Sequence, residues 1–126
     1  MARPNSHRNG FTLIELLIVV VIMGLLAAIA VPKFAASKDK SKLAAIRSDI
    51  RNIMSAQEAY YIDYSTYTLT FPSNTFNPSP NHVITITADA VKFTVTASNP
   101  TISGVLDECT VTVGDGTLTD GKIACS

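Results

Sequence analysis

Histidine and cysteine are scarce in this chain of 126 residues, which has only two of each. His7 stands close to the N-terminus, far from His82, Cys109 and Cys125. A zinc site built from the usual nitrogen and sulfur ligands is therefore not expected. His82 lies beside a proline-rich stretch with no nucleophile or acid motif near it, so we expect an ordinary surface histidine, no catalytic site and no cofactor.

Excess charge is also absent, because ten basic residues balance ten acidic ones. The net charge of zero gives no overall indication of a nucleic-acid partner. The charges are nevertheless unevenly placed. Six basic and two acidic residues lie between positions 33 and 51, whereas seven acidic and two basic residues follow from Glu58 onward. This arrangement suits the stacking of copies into an array, although a helix with a solvated charged face explains the same pattern.

Polar side chains are missing from Leu16 to Val31, a run of sixteen residues. Counted from Phe11, the apolar segment would extend about 31 Å as a helix, at 1.5 Å per residue. This length matches the hydrocarbon core of a bilayer, so residues 11–31 are predicted to span a membrane. Glu15 is the only charged residue in the segment. A carboxylate within a span costs roughly 2.5–3.5 kcal/mol and by default marks function.

Glycine and proline are absent between Lys33 and Ser65, so nothing breaks a helix there. Apolar residues recur in this stretch at helical spacing, namely Leu43, Ile46, Ile50, Ile53, Met54, Tyr60 and Tyr61. The charged residues assigned to the opposite face are Lys42, Arg47, Asp49, Arg51 and Glu58. We therefore predict one helix from Phe11 to about Asp63, apolar on all sides in its first half and on one stripe in its second.

Two residues are expected to weaken this helix. Pro32, at the junction of the two halves, removes a backbone donor and clashes with the carbonyl group of Ala28. Gly24 is a second weak point, although a small residue at that position is also typical of close helix packing.

The composition changes after Asp63 to a long connection rich in serine, threonine, asparagine and proline. The hydrophobic period then becomes two. Apolar residues alternate with polar ones at Ile84, Ile86 and Ala88, and again at Val91, Phe93, Val95 and Ala97. These runs predict a hairpin that turns at Asp89, followed by a third strand at about 105–113 and a short fourth at about 122–125. The predicted fold class is α+β, with a long N-terminal helix packed against an antiparallel sheet of three to four strands.

Cys109 and Cys125 are expected to pair as a disulfide if the chain is exported, and to remain free thiols if it is not. Closing a loop of this size stabilises the fold by about 3 kcal/mol in the chain-entropy model. Asp115-Gly116 and Asp120-Gly121 resemble parts of a calcium loop, but turn chemistry explains both pairs more simply. Four tyrosines between positions 60 and 67 are expected to anchor the end of the helix to the loop and sheet.

Residues 10–15 read Gly-Phe-Thr-Leu-Ile-Glu and follow a short stretch that contains Arg3 and Arg8. This motif closely resembles the processing motif of the type IV pilins and of the pseudopilins of type II secretion. The resemblance extends to Pro32 after the apolar segment, to the long two-part helix and to the late cysteine pair. It is specific in the N-terminal part of the chain, and the C-terminal part agrees in layout only.

The resemblance implies that a membrane-embedded prepilin peptidase removes residues 1–10 as a leader. The enzyme would cut between Gly10 and Phe11 and methylate the new amine of Phe11. Glu15 would then meet that amine on a neighbouring subunit during assembly. Physical reasoning agrees, because a new ammonium group in or near the membrane is costly unless a carboxylate compensates for it.

The family likeness also implies a role for each later segment. Residues 11–31 would be the transmembrane and assembly half of the helix, 32–63 its amphipathic half and 64–126 the globular loop and sheet. The helix would loosen in the filament between Gly24 and Pro32. Cys109 and Cys125 would bracket a C-terminal loop exposed on the filament surface.

The function that the resemblance implies is a structural subunit of a filament that serves adhesion, motility or DNA uptake. The implied partners are further copies of the chain in a helical filament, related minor pilins, the peptidase, an inner-membrane assembly platform and membrane lipid. The implied location is the bacterial inner membrane before assembly and an extracellular pilus or periplasmic filament afterwards. A pseudopilin of type II secretion is the alternative. Nucleic acid is a further partner class, but no aromatic residue interleaves the basic ones as a stacking site requires.

Three observations leave alternatives open. Thr12 to Glu15 also form a capping box, in which the carboxylate satisfies a backbone N–H group at the start of the helix. Ala28-Ile29-Ala30 is an acceptable signal-peptidase site, and cleavage there would release a domain that begins at Val31. Four lysines follow the apolar segment closely, which by the positive-inside rule would leave the C-terminal part in the cytoplasm.

Overall fold

A computed structural model describes residues 10–71, 75–104 and 106–126. It contains one long helix followed by four strands, which confirms the predicted α+β class. The elements in chain order are α1 (Leu13–Tyr64), β1 (Val83–Ala88), β2 (Phe93–Ser98), β3 (Glu108–Val113) and β4 (Ala124–Cys125). The chain divides into two compact units, the first ending at Ala36 and the second comprising Ser37–Ser126.

The first unit is helical from Leu13 onward, and its apolar side chains are exposed on every side of the helix. α1 is the one described helix that is long and apolar enough to cross a membrane. Pro32 lies inside α1, and helical structure continues on both sides of it. Loosening at Pro32 and Gly24 therefore remains a prediction about the assembled state.

The second unit contains a four-stranded antiparallel sheet with the order β1-β2-β3-β4. The register places Val95 opposite Ile86 on one side and Val111 on the other. Because side chains alternate between the two faces of a strand, these residues share one face of the sheet. Phe93, Val95 and Ala97 are fully buried, which confirms the predicted inward face of β2.

The core of the second unit forms where this face meets the C-terminal half of α1. Ile46, Ile50 and Ile53 recur at helical spacing and are completely buried in one cluster with β2 and β3. Burial of each such side chain contributes about 1.5–3 kcal/mol to folding. The apolar stripe of the helix is thus confirmed as the surface that packs against the sheet.

Asp49 departs from the prediction, because its side chain is buried at 6% exposure instead of lying on the charged face. Its Oδ2 atom accepts a hydrogen bond from the backbone N–H group of Ser79 (2.9 Å) and lies 2.6 Å from Nδ1 of His82. Its Oδ1 atom accepts the hydroxyl group of Ser79 at 3.0 Å. The expectation of a surface histidine was therefore wrong, since the side chain of His82 is only 2% exposed.

Gln57 holds the N-terminal end of the connection between α1 and β1. It is fully buried, donates from Nε2 to the carbonyl oxygen of Thr68 (2.6 Å) and accepts from the backbone N–H group of Thr68 (3.0 Å). Two tyrosines also connect the end of the helix to the loop and sheet. Tyr61 stacks on Tyr67, and Tyr67 packs edge-on against Phe93. These contacts confirm that tyrosines join the helix end to the loop and sheet.

The boundaries of the sheet differ from the prediction in two places. Val91 does not continue the alternation of β2, because Asp89 caps the turn by accepting the N–H groups of Val91 and Lys92 through Oδ1. Val91 is consequently exposed in the turn. The fourth strand is limited to Ala124–Cys125. The described part of the chain does not include Val105, where the third strand was predicted to start, Pro72 of the connection, or residues 1–9 of the predicted leader.

Candidate functional site

The N-terminal motif begins with a complete capping box. The hydroxyl Oγ1 of Thr12 accepts the backbone N–H group of Glu15 at 3.3 Å, and Oε2 of Glu15 accepts the backbone N–H group of Thr12 at 2.8 Å. The Thr12 hydroxyl also donates to the same Oε2 atom at 2.7 Å. Two N–H groups that a helix start leaves unpaired are thereby satisfied. The structure therefore forms the cap that the sequence offered as one explanation for Glu15.

The apolar segment that follows this cap has no protein surface against it within the described chain. Phe11 is 92% exposed, and the large apolar side chains from Leu13 to Val31 are all at least 46% exposed. A continuous exposed apolar surface of this extent is typical of an interaction site. Apart from the adjacent residues and the nearby helix backbone, no described atom lies within 4 Å of a Cβ atom built on Gly24, so tertiary packing within the chain does not require a glycine there.

A disulfide joins Cys109 and Cys125, which confirms the predicted pair. The two residues lie directly opposite each other in the antiparallel pair of β3 and β4. The bond therefore fastens a strand of only two residues to the sheet. It also closes the intervening segment, in which residues 115–120 are all exposed.

The segment Gly114–Asp120, here called the β3–β4 loop, is held by its own polar groups. Oδ1 of Asp115 accepts both the N–H and the hydroxyl group of Thr117 at 2.9 Å. Oδ1 of Asp120 accepts the N–H group of Gly114 at 2.8 Å. The two hydrogen bonds from Thr117, the backbone bond first, hold the pKa of Asp115 below its ordinary value. Both aspartates thus perform the turn chemistry that their sequence suggested.

An open groove of about 370 Å³ lies beside this loop, between α1 and the chain that leads into β4. Its lining residues are Arg47, Arg51, Met54, Gly121, Lys122 and Ile123, and we call it the basic groove. Nε of Arg47 donates to Sγ of Cys125 at 3.4 Å, which holds that guanidinium group over the disulfide. Sequence reasoning assigned the two arginines to a charged helix face. It missed Lys122, because only the fold of the C-terminal segment brings that residue beside them.

The structure does not bring the remaining predicted site residues together into one site; they lie along α1 or just before it. Gly10 and Phe11 precede α1, whereas Gly24 and Pro32 lie within it. Glu15 contacts Thr12 of its own chain. Its predicted pairing with the amine of Phe11 concerns a neighbouring subunit and therefore remains a prediction.

Comparison with known proteins places the N-terminal motif in a described family. Residues 5–31 match the pattern described as the prokaryotic N-terminal methylation motif. The chain is 39% identical over 67 residues to the type IV major pilin protein PilA of Myxococcus xanthus, covering 53% of this chain and 30% of that protein. It is 44% identical over 68 residues to the type II secretion system core protein G of Klebsiella michiganensis, covering 54% and 47%.

A third relative is the type IV wide pilus major component PilA4 of Thermus thermophilus, with 39% identity over 62 residues, 49% of this chain and 47% of that protein. The aligned part thus spans about half the length of these relatives or less. Pilins and secretion proteins both occur among them. The chain therefore carries the prokaryotic N-terminal methylation motif, and about half of its length is similar to type IV pilins and to type II secretion core G proteins.

Proposed function

We propose that the chain is a structural subunit of a type IV pilus-like filament, stored in the inner membrane and polymerised through its N-terminal helix. The observation that supports this most is the exposed apolar surface of residues 11–31, which lie within the match to the N-terminal methylation motif. Lipid would cover that surface before assembly, and the same helix of sister subunits would cover it afterwards. The work of the filament would be adhesion, motility or DNA uptake.

Maturation would begin with a prepilin peptidase that cuts between Gly10 and Phe11 and methylates the new amine of Phe11. Removal of residues 1–10 creates an ammonium group at the edge of the apolar segment. Glu15 of a neighbouring subunit would compensate for this charge, so that assembly neutralises two costly groups at once. An unpaired carboxylate in the span would thereby favour the addition of the next subunit.

The disulfide of the second unit supports one orientation in the membrane. Formation of the disulfide between Cys109 and Cys125 favours an oxidising compartment for Ser37–Ser126. This placement opposes the simple count of lysines after the apolar segment. Residues 32–63 and 64–126 would then form the surface of the filament, and the helix would loosen between Gly24 and Pro32. The inner-membrane assembly platform and minor pilins complete the proposed partners.

A pseudopilin of type II secretion is the second candidate function. The relatives that favour it are the core G proteins, such as that of Pseudomonas aeruginosa, which is 41% identical over 61 residues. In that case the same helix would build a short periplasmic filament that pushes cargo. Filaments visible on the cell surface favour the pilin, and secretion defects without such filaments favour the pseudopilin.

The proposal is tested by the mature N-terminus and by electron microscopy of cells with and without the chain. Mass spectrometry should find an N-methylated Phe11, and filaments should disappear when the chain is deleted. A mature chain that begins at Val31 would show signal-peptidase cleavage instead. That result would remove the apolar segment from the mature protein and refute assembly through it.

A further inference from the structure

The basic groove carries cationic groups for which the described chain supplies no counter-ion. The ion pairs among the described residues are Lys42 with Asp39 and His82 with Asp49, and neither involves the groove. Arg51 and Lys122 are exposed and make no side-chain hydrogen bond within the same described residues. The groove is therefore ready to accept an anionic group from another molecule.

Apolar side chains line the groove together with these cations. Met54 and Ile123 line the groove and are partly buried against the core of the second unit. A partner that fits must therefore bring an apolar side chain together with negative charge. No aromatic residue lines the groove, so it lacks the stacking surface on which single-stranded nucleic acid binds.

The β3–β4 loop of the chain has this combination of groups. Leu118, near its tip, is fully exposed and is the most exposed large apolar residue of the described chain. Asp115 and Asp120 flank it, and each uses only Oδ1 in the internal hydrogen bonds of the loop. One oxygen of each carboxylate is thus left for a cation. The internal bonds also fix the loop before it binds, which lowers the entropy cost of docking.

We propose that the β3–β4 loop of one copy docks into the basic groove of a neighbouring copy when the chain assembles. Leu118 contacts Met54 and Ile123 of the neighbour. The carboxylates of Asp115 and Asp120 lie beside the arginine and lysine side chains at the rim of that groove. This inference rests on the proposed filament function and names a contact between the second units of adjacent subunits.

The pairing is between copies because the loop does not neutralise the groove of its own chain. Gly121 and Lys122 connect the loop to the groove directly, yet no described carboxylate lies within ion-pair distance of Lys122. Loop and groove are different surfaces, so the contact is heterologous. A heterologous contact that does not close into a ring continues from copy to copy and produces a helical filament.

Chemical crosslinking of intact filaments of the full chain tests the contact directly. A carbodiimide joins a carboxylate to a lysine amine only when the two groups touch. We expect a covalent dimer on a denaturing gel, with Lys122 joined to Asp115 or Asp120 in its tryptic peptides. A dimer joined only at other residues, or the same crosslink found only in the monomer band, would overturn the inference.

Charge exchange provides the second test. Arg51→Glu should lower filament yield by about tenfold or more, since a like charge then faces the docking loop. Leu118→Lys should do the same, because it brings a cation to the basic groove without removing a hydrogen bond of the loop, and combining both changes in one chain should restore most of the yield. Lys38→Glu is the matched control, because it reverses an exposed charge of α1 outside the groove and should leave assembly intact. Normal yield from Arg51→Glu, or no recovery in the double variant, would overturn the inference.

Further measurements distinguish loss of the proposed contact from a folding defect, from failure of the proposed function and from DNA binding. A membrane-stored precursor of Arg51→Glu that retains its disulfide and its protease-resistant second unit excludes a folding defect, and Arg51→Gln repeats the test if the reversal does not fold. Wild-type cells without any filament would refute the proposed function and the inference together. Intact Arg51→Glu filaments that lose the binding of double-stranded DNA at low salt would assign the groove to nucleic acid and overturn the inference alone.

Discussion

Nδ1 of His82 lies 2.6 Å from Oδ2 of Asp49, and both side chains are almost completely buried. This pair joins the middle of α1 to the residue that immediately precedes β1. Ser79 contributes two further hydrogen bonds to the same carboxylate. The proline-rich connection is thereby fixed at its C-terminal end by one aspartate, and at its N-terminal end by Gln57.

Replacing Asp49 with alanine should destabilise the second unit by about 2–3 kcal/mol, because the N–H group of Ser79 and the ring of His82 lose a buried acceptor. The free energy of unfolding of the detergent-solubilised full chain, measured by chemical denaturation, checks this. Asp63→Ala is the control, since Asp63 is an exposed acid on the same helix. Equal stability of the two variants would show that the buried carboxylate contributes nothing.

Two glycines in the β3–β4 segment should respond differently to alanine. Gly114 and Gly116 both have positive φ values, of 87° and 68°. A Cβ atom on Gly114 would collide with the carbonyl oxygen of Val91, whereas one on Gly116 would meet open space. We expect Gly116→Ala to cost about 1 kcal/mol and Gly114→Ala about 3 kcal/mol or more in unfolding free energy. Similar losses from both variants would contradict the collision.

Removal of the disulfide should lower stability by about 3 kcal/mol, because the unfolded chain regains the freedom that the closed loop denies it. The variant is Cys109→Ser combined with Cys125→Ser, and the measurement is again the free energy of unfolding. A thiol reductant should lower the stability of the wild-type chain by the same amount and leave the double variant unchanged. Filaments built from the double variant should also be more easily disrupted by denaturant.

The exposed carboxylate of Asp115 should give the β3–β4 loop a pH dependence of known sign. Hydrogen bonds from Thr117 hold the pKa of Asp115 below its ordinary value of 3.8. The unfolded chain therefore binds this proton more readily, so the contribution is complete above 3.8 and is lost as pH falls through the lower folded value. Carbon-13 NMR of the carboxyl group checks the direction.

Thr117→Val is the matched variant for this titration. It removes the hydroxyl donor and retains the backbone N–H donor of residue 117. We expect the pKa of Asp115 to rise part of the way towards its ordinary value. An unchanged titration curve would mean that the hydroxyl group does not stabilise the carboxylate.

Glu15→Gln separates the capping role of this residue from its proposed charge pair. The amide oxygen of glutamine can accept the N–H group of Thr12, so the helix should still form and the chain should remain in the membrane. Filament yield should fall by about a hundredfold, because the amine of Phe11 would be buried without a counter-charge. Asp63→Asn is the control for the loss of one acid, and normal yield from Glu15→Gln would refute the charge pair.

Periodicity in the sequence predicted most of the fold. The 3.6-residue spacing of Ile46, Ile50 and Ile53 and the two-residue alternation of β2 each followed from the need to bury one face, and both are confirmed. Local turn chemistry at Asp115 was equally readable, because its partner is two residues away. The helix stripe, the strand alternation and the turn at Asp115 depend on residues that are close in sequence, so the sequence alone was enough to predict them.

The errors concern contacts between distant parts of the chain. Asp49 was placed on the charged face because its partners, Ser79 and His82, are about thirty residues away and cannot be inferred from helical spacing. Lys122 joins the basic groove for the same reason, since only the pairing of β3 with β4 carries it to α1. Polar residues with long-range partners carry no periodic signal.

The cap at the start of α1 is compatible with the charge pair proposed for Glu15. Both hydrogen bonds that Thr12 donates to the Glu15 carboxylate end on Oε2, and Oε1 accepts none within the described chain. Oε2 stabilises the first turn of the helix, and Oε1 is left to accept a hydrogen bond from another group. If the proposed charge pair forms, an incoming amine would meet a carboxylate that Thr12 already holds in place, and the helix would not need to fray for the next subunit to join.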